Sequence, residues 1–150
     1  MIEVIRTNSN TKDFINLVKE LDAYLKTTDG DEHEFYNQFN GIDVLKHVVV
    51  AYSDSIPVGC GAFKTFNGSK VEIKRMYTSP EYRGNGIASK ILDALEHWAK
   101  ELGYAACILE TGKRQQEAVA FYKKKNYKII SNYGQYIGMD NSLCFEKEIV

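Results

Sequence analysis

The chain has 150 residues, 44% of them hydrophobic and 26% charged, which is ordinary for one soluble domain, so we expect residues 1–150 to form a single domain. The formal net charge of −1 leaves no surplus of basic residues to neutralise phosphates, which argues against nucleic acid as a partner. No apolar run is long enough to cross a bilayer and the first residues lack a signal-peptide pattern, so we expect a cytoplasmic protein without membrane contact.

The first half of the chain predicts strands with one long and one short helix. Residues 2–7 form a β-branched run suited to a strand, and apolar residues recur at helical spacing from 11 to 26. A short helix is predicted over residues 33–39, after a polar loop. Three adjoining antiparallel strands should follow at residues 47–52, 58–66 and 71–78, the last two joined by a hairpin at Asn67-Gly68.

The second half alternates helices with strands. The predicted elements are a helix from Ile87 to near Gly103, a strand at 104–109, a helix at 115–125, and strands at 127–133 and 143–149. Because a helix joins them, strands 71–78 and 104–109 should run parallel, and their C-terminal ends should form a ligand crevice. The expected fold class is α/β (α+β), with a mixed, mostly antiparallel sheet of about seven strands and about four helices.

The turn before the predicted helix at Ile87 is rich in glycine. Residues 82–90 read YRGNGIASK, which lacks the Gly-Lys-Ser or Gly-Lys-Thr ending of a nucleotide-binding P-loop, and Ser89 stands where a dinucleotide fingerprint has its third glycine. What remains is the pattern Arg83-x-x-Gly86-x-Ala88 at the start of a helix. Bare N–H groups and the helix dipole favour an anion such as a pyrophosphate there, and the alternative is a plain turn.

The cysteines and histidines do not indicate a catalytic thiol or a metal site. The three cysteines are widely spaced in apolar segments, which is typical of buried thiols in a reducing compartment; they are Cys60, Cys107 and Cys144. The histidines share no metal-ligand spacing with them or with each other; they are His33, His47 and His97. No metal is therefore expected.

From about Val48 to Ile149 the sequence resembles the GCN5-related N-acetyltransferase (GNAT) superfamily. The strongest match is residues 71–88, VEIKRMYTSPEYRGNGIA, which is similar to the family's fourth strand and its Q/R-x-x-G-x-G/A pyrophosphate loop. A second match is residues 115–127, QQEAVAFYKKKNY, and a weaker one is the terminal CFEKEI. Two positions depart from the pattern, because the family more often has Asn at Gln115 and Gly at Asn126.

The resemblance implies acetyl-coenzyme A as cosubstrate, direct transfer to an amine, and parallel strands that splay at the cofactor crevice. The backbone from Arg83 to Ala88 would hold the pyrophosphate, and the N–H of Met76 would polarise the thioester carbonyl. The cofactor-binding residues that it implies are Met76, Tyr77, Thr78, Arg83, Gly84, Asn85, Gly86, Ile87, Ala88, Ser89 and Gln115.

Two residues fall where the family has its acid and base. Tyr122 would protonate the departing thiolate, and Glu72 would take a proton from the amine, directly or through a water. The alternatives are that Tyr122 is an ordinary half-buried aromatic and that Glu72 alternates to solvent with Lys74. Under this alternation the opposite face of the strand would carry Val71, Ile73, Arg75 and Tyr77.

The acceptor is less well defined by the residues. In the family the loop after the first helix covers the acceptor site, and here it carries Asp29, Asp31 and Glu32, which could attract a cationic amine. The alternative is a solvated acidic turn in which Asp31 caps a helix.

The basic run 123–125 similarly fits either a helix end that complements the dipole or contact with the nucleotide 3′-phosphate.

The sequence therefore predicts an N-acetyltransferase that acts on a primary amine of a small molecule, such as a polyamine, an amino-sugar or an amino acid. A protein lysine or N-terminal acetyltransferase is an alternative with the same chemistry. A non-catalytic acyl-coenzyme A sensor is an alternative of another class. Many members of the family dimerise, often through C-terminal strands, and residues 127–150 leave a homodimer open.

Overall fold

The computed structural model describes residues 1–29 and 45–150. Within these ranges seven strands form one sheet: β1 (Ile2–Thr7), β2 (His47–Ser53), β3 (Ile56–Thr65), β4 (Lys70–Thr78), β5 (Ala106–Gly112), β6 (Lys128–Ile130) and β7 (Ser142–Glu148). The same ranges contain three α-helices: α1 (Lys12–Asp29), α2 (Ile87–Glu101) and α3 (Gln116–Lys124). The predicted helix at 33–39 lies outside the described residues.

The sheet is mixed and mostly antiparallel, as predicted. Its strand order is β1-β2-β3-β4-β5-β7-β6, and β4 with β5 is the parallel pair. The pairs β1–β2, β2–β3, β3–β4, β5–β7 and β6–β7 are antiparallel. The last strand of the chain is therefore inserted between β5 and β6, and β6 forms one edge of the sheet.

Helices cover both faces of the sheet because each has one apolar stripe. The stripe of α1 includes Phe14 and Leu17, which are buried against the face of β2 and β3 that carries Val48 and Cys60. On the opposite face, Ile91 and Leu95 of α2 belong to a second core with residues of β4, β5, β7 and α3. Burial of these stripes fixes α2 and α3 beside β4, where the glycine turn lies.

The parallel strands separate soon after they pair. Residues 70–72 of β4 pair with residues 106–108 of β5, and no other residues of these two strands pair with each other. From Ile73 to Thr78, the edge of β4 that faces β5 therefore has no strand beside it within the described residues. This is the predicted splay, and it opens a crevice at the C-terminal end of β4.

A bulge in β4 changes which residues share a face. The pairing of β3 with β4 shifts between Cys60 and Ala62, and Arg75 there has a φ of 61°. Ile73 packs in the core beneath α2, whereas Arg75 donates a hydrogen bond to Asp22 of α1. The predicted grouping of Val71, Ile73, Arg75 and Tyr77 on one face is wrong, because the extra residue reverses the alternation after Lys74.

Two further expectations can be compared with the fold. All three cysteines are buried and free, as predicted. None of the helices in the described ranges is long and apolar enough to cross a membrane.

Candidate active site

Two adjoining cavities lie at the splay between β4 and β5. The larger has a volume of about 510 Å³ and extends from the C-terminal end of β4 past the glycine turn to α3. The smaller, of about 120 Å³, lies against β4, β5 and α1. Both are lined by Leu21, Met76, Gln115, Ala118 and Tyr122. The shared wall makes them two parts of one site.

Ten of the eleven residues predicted to bind the cofactor line the larger cavity; they are Met76, Tyr77, Thr78, Arg83, Gly84, Gly86, Ile87, Ala88, Ser89 and Gln115. Asn85 is not among the lining residues, and its side-chain amide donates a hydrogen bond to the carbonyl of Tyr82. Its side chain therefore stabilises the turn itself.

The glycine turn presents backbone to the larger cavity. Gly84 and Gly86 have φ values of 84° and 74°, and a Cβ built on either would meet no atom within 4 Å, so both border open space. The first backbone bond into α2 runs from Lys90 N to Gly86 O. Among the described residues, the N–H groups from 84 to 89 have no backbone acceptor. This arrangement fits an anionic group such as a pyrophosphate.

Arg83 holds the turn against the end of β4. Its Nε donates a hydrogen bond of 3.0 Å to the carbonyl of Thr78. Its guanidinium also lies 5.4 Å from the ring centre of Tyr24 and 6.0 Å from that of Tyr77. The side chain thus fixes the loop while it lines the cavity.

Lys125 bridges the two helices that flank the larger cavity. Its ammonium donates to Oγ of Ser89 at 2.8 Å and to Oδ1 of Asp93 at 2.7 Å. Neither alternative from the sequence, a solvated helix end or a phosphate contact, anticipated this link. Ser89 and Asp93 lie more than thirty positions before Lys125 in the chain, and no local sequence pattern indicates contacts over that separation.

Tyr122 borders both cavities. It is only 7% exposed, and its ring packs with those of Phe121, Tyr127 and Phe145. Burial raises the pKa of its hydroxyl above the ordinary value of 10.0, so the group keeps its proton at neutral pH. No hydrogen bond within the described residues engages this hydroxyl.

Glu72 lines the smaller cavity and is held by two neighbours. The Tyr133 hydroxyl donates to Oε2 of Glu72 at 2.7 Å, and Nζ of Lys74 lies 3.9 Å from Oε1. Burial lowers the pKa of the Lys74 ammonium, and the charge of Glu72 opposes that shift. Glu72 is 3% exposed and Lys74 is 8% exposed, so the alternative that both alternate to solvent is wrong.

The smaller cavity is also lined by charged side chains that the sequence pattern did not single out as site residues. Arg75 donates through Nη1 to Asp22 at 2.8 Å, while its buried Nε has no hydrogen-bond partner within residues 1–29 and 45–150. Glu110 of β5 and Tyr136 of the segment before β7 complete that side of the wall. Only the bulge brings Arg75 to this face, and a bulge at a residue other than glycine has no clear sequence signal.

The residues predicted to attract the acceptor are largely outside the described part of the chain. Asp29 is the last residue of α1, and Asp31 and Glu32 lie outside the described residues. The smaller cavity as bounded by the described residues takes its charged groups from β4 and β5 instead.

Comparison with known proteins agrees with this geometry. The sequence model of the Acetyltransferase (GNAT) family matches residues 14–127. The chain is 32% identical over 141 residues to the "IAA acetyltransferase" of Azospirillum brasilense, and the match covers 90% of each chain.

Solved structures show the same fold. A protein of Klebsiella pneumoniae assigned to the acyl-CoA N-acyltransferases has a TM-score of 0.84 and 27% identity, covering 100% of this chain and 99% of that one. The PaiA N-acetyltransferase of Thermoplasma acidophilum, solved in complex with coenzyme A, has a TM-score of 0.73 and 20% identity, covering 99% of both chains. The chain therefore belongs to the GNAT family and is an N-acetyltransferase that uses acetyl-coenzyme A.

Proposed function

We propose that the chain transfers the acetyl group of acetyl-coenzyme A directly to a primary amine of a small molecule. The observation that carries this proposal is the junction of the two cavities at Met76, Gln115 and Tyr122. A donor in the larger cavity and an acceptor in the smaller one would meet at this wall. Direct transfer needs both reactants to be held together in reacting geometry.

The larger cavity suits the donor in size and in chemistry. Its volume of about 510 Å³ lies in the range of ordinary ligand pockets, roughly 300–1,000 Å³. The N–H groups of residues 84–89 would hold the pyrophosphate at the start of α2. The edge of β4 from Ile73 to Thr78 would pair with the extended arm of the cosubstrate, as an added strand does.

Acetyl-coenzyme A supplies an acetyl group activated as a thioester. The N–H of Met76 would donate to the carbonyl oxygen of that group, where negative charge develops during attack. Donors of this kind are worth about 10²–10³ in rate when they are already in position. The splay supports this role, because no strand of the described part of the chain lies beside the β4 edge that faces β5 at Met76.

Glu72 would act as the base. An ammonium acceptor must lose a proton before its nitrogen can attack, and Glu72 borders the smaller cavity, where the acceptor would bind. Its hydrogen bond from Tyr133 fixes Oε2, and the carboxylate would take the proton directly or through a water.

Tyr122 would act as the acid. The departing thiolate needs a proton, and the Tyr122 hydroxyl borders both cavities. Burial raises the pKa of this hydroxyl, which keeps its proton in place until it is required. The presence of both Glu72 and Tyr122 along the cavity walls supports catalysis over a sensor that only binds acyl-coenzyme A.

The size of the smaller cavity supports a small acceptor. As bounded by the described residues, its volume of about 120 Å³ is small beside the roughly 300–1,000 Å³ of ordinary ligand pockets. A lysine side chain of a protein would also need an open groove for the flanking peptide. A panel that includes lysine peptides distinguishes these acceptors.

The test is release of free coenzyme A thiol from acetyl-coenzyme A over a panel of polyamines, amino-sugars, amino acids and lysine peptides. Gly86→Asp serves as the control, because a carboxylate at the N-terminus of α2 would repel the pyrophosphate. Release that needs one class of small amine and is lost in Gly86→Asp supports the proposal. Release only with peptides, or cofactor binding without release on any amine, contradicts it.

A further inference from the structure

The bulge in β4 gives the smaller cavity a pair of adjacent cations. Lys74 and Arg75 are consecutive, and in a regular strand their side chains would point to opposite faces. At the bulge, where Arg75 has a positive φ, both side chains instead line the smaller cavity. They are 8% and 7% exposed, so the pair is buried.

The guanidinium of Arg75 is only partly satisfied. Asp22 of α1 accepts a hydrogen bond from Nη1, and the buried Nε has no acceptor among the described residues. A buried donor without an acceptor is costly, and native proteins rarely keep one without a reason. The Nε and Nη2 edge of arginine matches the two oxygens of a carboxylate.

The charges on the cavity wall are balanced in sign. Among the described residues that line this cavity, two are carboxylates, Glu72 and Glu110, and two are cations, Lys74 and Arg75. A polycation such as a polyamine would be favoured by a surplus of carboxylates, which the described lining residues do not provide. An acceptor with one amine and one carboxylate matches both signs.

On these grounds we infer that the acceptor is an amino acid or a similar amine that also bears a carboxylate, bound through Arg75 and Lys74. The inference rests on the proposed function and defines its substrate class more narrowly. The amine would lie toward Glu72, and the carboxylate would bind at the bulge.

The experiment compares matched acceptors that differ only in the carboxylate: a set of amino acids, the corresponding amino acid amides, and the corresponding decarboxylated amines. We expect kcat/KM to be about ten- to a hundredfold higher for the acids, because their carboxylate forms one charge-assisted, bidentate pair with Arg75. Arg75→Gln and, separately, Lys74→Met should reduce this preference. Lys100→Met removes an exposed cation from the end of α2 and should leave the preference unchanged.

The outcomes separate the two proposals. Turnover that is equal or faster with amides or decarboxylated amines overturns the carboxylate subsite and leaves the small-amine acetyltransferase standing. A preference for the acids that survives in both Arg75→Gln and Lys74→Met also overturns the subsite. Absence of turnover on every amine, with acetyl-coenzyme A binding measured by calorimetry, overturns the proposed function and the subsite with it.

Discussion

The Tyr133 hydroxyl lies 2.7 Å from Oε2 of Glu72, although the two residues are 61 positions apart in the chain. Tyr133 precedes the short helical turn Gly134–Tyr136, and its ring packs against Phe66 and Tyr136. The segment between β6 and β7 thus positions the proposed base on β4.

The proposed base role of Glu72 predicts an effect on the pH dependence of turnover. Tyr133→Phe removes the hydrogen bond that fixes Oε2 of Glu72, so kcat/KM should fall. Glu72→Gln should lose about 10²-fold or more at low pH, where the amine is protonated, and less at high pH. Tyr104→Phe, which loses only a surface bond to Thr65, is the matched control. Profiles that coincide with wild type would remove Glu72 from the mechanism.

Replacement of Tyr122 should affect chemistry and not binding. Tyr122→Phe keeps the buried ring and loses the hydroxyl, so kcat should fall by about 10²–10⁴ while the Kd of acetyl-coenzyme A stays the same. Burial raises the pKa of Tyr122 above its ordinary value. At any pH under 10, wild-type kcat should therefore not decrease through loss of this proton. Steady-state kinetics with calorimetry measures both quantities. A fully active variant would contradict the acid role.

The glycine turn should be sensitive to a single methyl group. Gly86 has a φ of 74°, so Gly86→Ala is strained by roughly 1–2 kcal/mol and should weaken acetyl-coenzyme A binding. Gly68→Ala is the matched control, because Gly68 lies in a hairpin, lacks a positive φ and borders open space. Calorimetric titration of both variants is the measurement. Equal affinities would mean that the conformation at Gly86 does not matter for the cosubstrate.

Lys125 should matter for the larger cavity, the proposed site of acetyl-coenzyme A, through its contacts with α2. Lys125→Met loses the bonds to Ser89 and Asp93, and we expect the KM for acetyl-coenzyme A to rise about five- to tenfold, or ~1 kcal/mol. Lys123→Met removes an exposed charge from the last turn of α3, two residues before Lys125, and tests for a general electrostatic effect. If both variants raise KM equally, the bridge is not the cause.

The buried thiols should not react in the folded protein. Burial raises the pKa of both Cys60 and Cys107 to about 12, and that of Cys144 to about 11. Iodoacetamide at pH 8 should therefore leave native protein unlabelled and label all three cysteines in denaturant, as read by mass spectrometry. Native labelling would contradict their burial. The same property keeps the protein's own thiols out of an assay for coenzyme A release.

The sequence predicted the parts of the site that depend on local pattern. The glycine spacing before α2 and the position of Tyr122 in α3 are visible in short stretches of sequence, and both fall on the cavity walls. The seven strands were also predictable, because most carry clear apolar runs. The strand expected at 127–133 is shorter, at Lys128–Ile130, because Tyr127 turns into the core after Asn126, whose φ is 73°.

The parts that depend on distant pairing were not predictable. The bulge at Arg75 depends on how β3 and β4 fit together, and it decides that Lys74 and Arg75 face one cavity. The contacts of Tyr133 with Glu72 and of Lys125 with Ser89 likewise join elements that only the fold brings together. Local alternation alone would have assigned Arg75 to the wrong face.

The insertion of β7 between β5 and β6 also sets the order in which the protein can assemble during synthesis. β5 and β6 emerge from the ribosome before β7, so each must wait for residues 142–148 before that side of the sheet can close. Until then β5 exposes an unpaired, apolar edge that other chains could join. A nascent chain stalled before residue 142 should therefore aggregate readily and lack the closed smaller cavity, since Tyr136, which lines that cavity, packs with Ile130 of β6 and Cys144 of β7.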